Sequence, residues 1–584
     1  MADPSGLAAN TVQYGDPEFA LFLRKAFIKG AGYSDADLSR PIVGIINTGS
    51  DFNPCHGNMP ALVEAVKRGV MLSGALPMVF PTISLHESFA SPTSLFFRNL
   101  MSMDTEEMIR AQPMDAVVLI GGCDKTLPAQ IMGAISAKRP YLVLPTGPML
   151  SSTWAGERVG ACTDCRRLWA DFRAGRLNTI QITQANARLV PSVGTCSVMG
   201  TASTMACVVE AMGLAVPGAA SAPAVSADRV RVAEATGEAA ARLAQQRQPA
   251  MALTEQHYEH ALRVLLAIGG STNALVHLAA IMGRQGLRLD PNRFNALAAS
   301  TPVLVDLKPG GVGYMPDFHE AGGVPRLLRS LAPLLDLHQP TAWGGVLADG
   351  VEREENAAPQ TVIRAFDDPI YPHTGLKWLT GNLAPHGAVI KPVAASQTLL
   401  QHTGRAVVFD GLEDLSRRID DPALDVQPSD VLVLRGIGPR AAGMPEAGLI
   451  PIPKQLASKG VKDMVRISDG RMSGTAFGTI VLHISPEAAA GGPLACVRSG
   501  DLICLDVAKG RLDLLISEEE MQTRRAHPPV IPVLSAERGY AWLHAEQVTQ
   551  AEEGCDFRFL RGPLGAAIQA LPPDGDPREG GPLP

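Results

Sequence analysis

The chain has no run of residues both long and apolar enough to cross a membrane. The nearest approach, 262–283, is broken by Arg263, by Gly269-Gly270-Ser271-Thr272-Asn273 and by His277, and it reads as two buried helices around a polar loop. No basic stretch followed by an apolar run opens the sequence, so no secretory leader is expected and a cytoplasmic setting follows by default. Positive charge is not in excess either. A net charge of -7 speaks against nucleic acid as the main partner, since binding phosphates calls for a basic face. Cysteine is scarce: nine scattered over 584 residues are too few for a disulfide framework. One pair, Cys162-Thr163-Asp164-Cys165, has the spacing of a redox or zinc motif. It has no second C-x-x-C or paired histidines to complete it, and it is set aside. There is no internal repeat.

What the sequence does have is length for more than one core and an abundance of glycine, 57 residues in all. In the first part, short apolar runs alternate with helical patterns. Pro41–Asn47, Pro77–Ile83, Asp115–Ile120 and Tyr141–Pro145 read as buried strands, with helices over Met59–Ser73 and Pro92–Ala111. This alternation predicts a parallel sheet covered on both faces, an α/β domain over 1–375. From about Ala388 the texture changes to short β-like runs: Ala388–Val393, Arg405–Phe409, Val431–Arg435, Met464–Ile467, Thr479–Ile484 and Cys496–Leu515. They predict a second, β-rich, barrel-like domain over 376–584, with the boundary inside Val351–Leu383. The Pro/Gly/Asp-rich tail after Pro572 is expected to fray.

Three lone cysteines sit in glycine-rich loops: Cys55 in NPCHG, Cys123 in GGCDKT and Cys196 in GTCS. Cys55 and Cys123 lie just past expected strand ends, where open α/β sheets bind ligands. Three thiolates are one short of a closed tetrahedral set, and an iron–sulfur cluster held that way keeps an open, Lewis-acidic iron. Cys123, Asp124 and Lys125 fall at a strand-to-helix turn, with Pro128 in the first turn of the following helix. Cys196 leads into a small-residue helix over Val198–Met212, where Cys207 reads as core. Glu87, Asp124 and Glu446 are carboxylates in constrained loops and suit Mg²⁺, although singly each also reads as a surface or capping acid. Ser468–Thr475 places Ser473 between glycines beside Arg471, as an anion or nucleophile loop or an ordinary polar turn.

Together these segments resemble the iron–sulfur dihydroxy-acid and sugar-acid (aldonate) dehydratase family, which includes phosphogluconate dehydratase. The likeness rests on NPCHG, GGCDKT, GTCSVMGTASTM, GGSTNALVHL at 269–278, GMPEAG around Glu446 and SDGRMSGTAFG at 468–478, in family order across most of the chain. It implies that Cys55, Cys123 and Cys196 hold the cluster. It implies that Glu87, Asp124, Glu446 and a carbamylated Lys125 hold Mg²⁺, and that Ser473 is the base with Thr475 near the substrate. It further implies an α/β domain followed by a β-barrel domain, a homodimer or homotetramer, and dehydration of a 2,3-dihydroxy acid to a 2-keto-3-deoxy acid.

The segment 154–177, the run 255–281, HEAGG at 319–323 and GCDFRFL at 554–560 resemble the sugar-acid branch. That branch implies a small-molecule aldonate such as arabinonate or xylonate and a [2Fe–2S] cluster, with [4Fe–4S] as the alternative. One departure is Asn58, where many members carry histidine. The competing readings are the dihydroxy-acid dehydratase of branched-chain amino-acid synthesis, a thiol or zinc protein, and an inactive binding homologue.

Overall fold

The computed structural model describes residues 5–563 apart from 10, 12, 353–359, 374, 447–449 and 535. The tail beyond Pro572 and part of the expected boundary lie outside the described residues.

Four strands, β1 (Ile42–Asn47), β2 (Leu76–Pro81), β3 (Ala116–Gly121) and β4 (Tyr141–Pro145), form a parallel sheet in the order β2-β1-β3-β4. β3 and β4 are buried at every position, and β1 at all but its last. Such continuous apolar runs suit strands with both faces covered. A small hairpin, β5 (Ser152–Trp154) with β6 (Glu157–Val159), follows. The 262–283 segment folds as expected into helices Glu255–Ala267 and Asn273–Arg284 around the GGST turn. No helix among the described residues is long and apolar enough to cross a membrane.

The second sheet has eight strands: β7 (Lys377–Leu379), β8 (Gly387–Ile390), β9 (Gln401–Asp410), β10 (Val431–Arg435), β11 (Arg466–Ser468), β12 (Ile480–Ser485), β13 (Leu502–Asp506) and β14 (Arg511–Leu514). They run in the order β14-β13-β9-β10-β11-β12-β8-β7. The central run β9 to β12 is parallel and the flanking pairs are antiparallel. Thr380 bridges to Arg511, with Thr380 N donating to Gly510 O at 2.9 Å and Leu512 N to Thr380 O at 3.0 Å. That contact brings the two edges together into a nearly closed barrel. Strand periodicity divides the core: Ala406, Val408, Val431 and Val433 face one cluster, while Val407, Phe409, Leu432 and Leu434 face another.

The expected run Cys496–Leu515 is not one strand. Pro493–Cys496 is a 3-10 turn with proline in its first turn, and the carboxylate of Asp506 accepts from Lys509 N at 3.0 Å, folding the rest into the β13–β14 hairpin. The helix expected from Val198 begins at Thr201, so Cys196 lies just ahead of the bends at 197–200 that lead into it, while Cys207 is core as expected.

The C-terminal segment returns to the first sheet's helices. Val548, Cys555 and Phe557 pack with Leu95 and Val276, and Arg284 Nε donates to buried Asp556 at 2.7 Å.

Candidate active site

Every candidate group stands in a loop beyond the carboxyl end of a parallel strand or on the loops and helices packed against it. Cys55 follows β1, Glu87 follows β2 and Cys123, Asp124 and Lys125 follow β3. Glu446 follows β10, and Arg471, Ser473 and Thr475 follow β11. Strand polarity leaves backbone groups and turns free at these ends, which is why ligands bind there.

Three carboxylates and two cations form the centre. Lys125 is wholly buried, and its ammonium contacts Asp124, Glu87 at 3.2 Å and Glu446 at 3.5 Å. Arg471, 1% exposed, donates to Glu446 at 2.6 Å and to both Glu87 oxygens at 3.0 Å, and its Nε donates to Met444 O at 2.8 Å. Thr93 and Ser94 also donate to Glu87. Burial opposes charge on Glu87, but Arg471, Lys125, Ser94 and Thr93 outweigh it and hold that carboxyl well below the usual range. Burial and Arg471 likewise oppose charge on Lys125, and Asp124, Glu87 and Glu446 overcome them, raising its pKa.

A group of thiols adjoins the carboxylates, joined through the contact of Cys123 Sγ with Asp124 Oδ1 at 3.7 Å. Cys55 and Cys123 are buried side by side, and the hydrogen bond from Cys123, helped by His86, pulls Cys55 down to about 6. His86 is itself raised: burial works against its charge, and Cys55, Asp124 and Cys162 prevail. Cys196 faces Cys162 with 3.3 Å between sulfurs, and Cys162 also bonds Cys165.

The C-x-x-C spacing, with no second motif to complete it, does not point to this contact: the facing sulfur belongs to Cys196, 34 residues on.

The backbone around the thiols is held by His56, another residue the sequence reading passed over. Its Nε2 accepts from Gly122 N at 2.9 Å and Cys123 N at 3.0 Å, so the proton must sit on Nδ1, which donates to Thr48 O at 2.8 Å. Burial holds this ring down to about 4, which keeps it neutral. Gly122 is required here, because a side chain would run into Thr146. Asn58, the departure from the family pattern, spans Thr146 O and Ala224 O at 2.9 Å each.

On the barrel side, Ser473 Oγ and Thr475 Oγ1 are 2.8 Å apart. Arg166 Nε donates to Thr475 Oγ1 at 3.4 Å, and Thr163 Oγ1 donates to Thr475 O at 3.2 Å. Asn273, from the GGSTN turn, donates to Met472 O at 3.0 Å, and Gly474 lies against Ser271 where a side chain would not fit. All nine residues singled out from sequence therefore fall into adjoining groups. Among the described residues, no three His, Cys, Asp or Glu side chains close around a single point at metal-binding distance. The carboxylates are instead engaged by Lys125 and Arg471. A cleft of about 400 Å³, lined by Arg405, Arg418 and Asp421, holds none of these groups.

Soft sulfur donors beside hard oxygen donors are gathered at the ends of parallel strands, where α/β enzymes bind their ligands. Comparison with known proteins defines the centre further. The chain belongs to the dihydroxy-acid/6-phosphogluconate dehydratase family, whose N-terminal description matches residues 40–350 and whose C-terminal description matches 361–555. It is thus a dehydratase, a hydro-lyase. It is 44% identical over 545 residues to a 6-deoxy-6-sulfo-D-gluconate dehydratase of Pseudomonas putida, covering 92% of this chain and 93% of that one. It is 44% identical over 570 residues to an L-arabonate dehydratase of Azospirillum brasilense, covering 96% and 98%. A dihydroxy-acid dehydratase of Moorella thermoacetica (strain ATCC 39073 / JCM 9320) is 37% identical over 544 residues, covering 91% and 97%.

Proposed function

We propose that this chain dehydrates a sugar acid, an aldonate such as arabinonate or xylonate, to the 2-keto-3-deoxy acid. The observation that carries the reading is the buried Lys125 ringed by Asp124, Glu87 and Glu446, with the thiols of Cys55 and Cys123 adjoining through Asp124. The names of the sulfogluconate and arabonate relatives point to the same class of substrate.

The donor chemistry fits two groups. Cys55, Cys123 and Cys196 would hold an iron–sulfur cluster, [2Fe–2S] by likeness to the sugar-acid branch, and Glu87, Asp124, Glu446 and a carbamylated Lys125 would hold Mg²⁺. When bound, they would supply Lewis acidity, easing loss of the C2 proton and departure of the 3-hydroxyl. Carbamylation consumes CO₂ and releases two protons from the ammonium, turning Lys125 from cation to oxygen donor.

Ser473 is the base, and the chain supplies a reason for its strength. Thr475 Oγ1 accepts from Arg166, so its own proton is free to point at Ser473 Oγ. Thr475 N also donates to Ser473 Oγ at 3.4 Å. Two donors aimed at one oxygen favour its anion. Ser473 takes the C2 proton, the 3-hydroxyl leaves, and the enol tautomerises to the keto acid.

In this reading, units 1–375 and 376–584 form one protomer of a cytoplasmic homodimer or homotetramer. The deciding experiment assays an anaerobic preparation on a panel of aldonates and 2,3-dihydroxy-isovalerate, following 2-keto acid release. Turnover of one or more aldonates is expected. Turnover of the branched-chain acid alone overturns the substrate assignment.

A further inference from the structure

Cys162 is a thiol beside the site that the dehydration chemistry leaves idle. It stands directly before helix Thr163–Arg173, and its sulfur is 3.3 Å from that of Cys196. Both residues are partly exposed, whereas Cys55 and Cys123 are buried. A disulfide needs about 2.05 Å between sulfurs, so two side chains already in contact must move by little more than an ångström to close one.

We propose that Cys162 and Cys196 form a redox site, closing to a disulfide when no cluster occupies the thiols. With hydrogen peroxide as oxidant, one thiolate attacks a peroxide oxygen, becoming a sulfenic acid and releasing hydroxide. The other thiolate attacks that sulfur and expels the second hydroxide. The pair gives up two electrons and two protons, and the peroxide becomes two waters. With a low-molecular-weight disulfide such as oxidised glutathione, one thiolate displaces one glutathione and the second thiolate displaces the other.

The bond would withdraw Cys196 from cluster assembly. A thiol reductant would reopen it. The effect on assembly rests on the reading of Cys196 as a cluster ligand, whereas the bond itself rests only on the geometry.

The test uses the full chain stripped of cluster and treated with hydrogen peroxide or oxidised glutathione. Non-reducing peptide mapping by mass spectrometry should find Cys162 linked to Cys196, and dithiothreitol should remove the link. Iron and sulfide uptake, followed by visible absorbance and iron per chain, should fall at least tenfold after oxidation and recover on reduction. Cys162→Ser should take up cluster after oxidation as well as before it, and Cys165→Ser should behave like the parent. A map dominated by Cys162–Cys165, or by no link at Cys162, overturns the proposal. So does a Cys162→Ser protein that loses uptake as the parent does. A Cys162–Cys196 link that leaves uptake untouched would keep the redox site and sink the reading of Cys196 as a ligand.

Discussion

The two halves of the centre are built differently. The thiols all come from loops of the first 200 residues, above one parallel sheet, and Cys55 and Cys123 are braced by local contacts through His56 and Thr146. The carboxylates are shared: Glu87 and Asp124 rise from the first sheet, Glu446 and Arg471 from the barrel. Arg471 ties Glu87 to Glu446 across that divide. A site of the first kind depends on loops over one sheet, and a site of the second kind exists only while the sheet and the barrel stay packed together. Damage to either should therefore have separable signatures.

The largest effect is expected on the thiol side. Cys123→Ser should abolish iron uptake and turnover while leaving Mg²⁺ binding, read by calorimetry, in place; loss of both would mean that the two groups are not separate. Next, Ser473→Ala should cut kcat by about 10²–10⁴-fold, the range for a general base, with cluster absorbance and iron content unchanged. Full activity with an intact cluster would remove Ser473 from the mechanism.

Arg471→Met should cost about 1–3 kcal/mol of stability in the metal-free protein, because it leaves two partly buried carboxylates with one fewer donor. The thermal midpoint should drop, and added Mg²⁺ should recover part of it. An unchanged midpoint would mean that the inter-unit tie is weak.

The smallest effect concerns pH. His544, packed against Phe96 at 4.6 Å between ring centroids, is held down to about 4 by burial, helped by the charge of Arg98. Its folded pKa lies below its unfolded one, so its contribution to stability is present above about pH 6.5 and is lost as pH falls through 4. His544→Phe should flatten the fall in thermal midpoint over that window by about one proton's worth and leave higher pH unaffected. An unchanged slope would show that this ring does not titrate on unfolding.

Much of this was legible beforehand, and physical reasons mark where it stopped. β1, β3 and β4 are continuous apolar runs, so their buried parallel pairing shows in composition alone. The loops at Cys55 and Cys123 were readable because strand, glycine and helix start follow one another in sequence. Cys162 was not, because its significance is a contact with Cys196 across a fold that spacing does not encode. Arg471 was noted only as a neighbour of Ser473; its partner Glu87 is far off in the chain. His56 was visible as part of NPCHG, but its work is to accept two amide protons from another loop, which no motif records. The barrel's closure through Thr380 and Arg511 depends on register, which a list of short strands leaves open.

The span between Glu87 and Arg471 is 384 positions. At synthesis rates of about 5–20 residues per second, that is roughly 20–80 s on a ribosome. For that time Glu87 has been made while Arg471 has not, and Asp556, which clasps Arg284, follows later still. The carboxylate group cannot be completed on the nascent chain before Glu446 emerges, whereas the thiols that meet beside it are all in hand by residue 196. The order in which the thiol group and the carboxylate group can assemble is thus written into where their residues fall along the message.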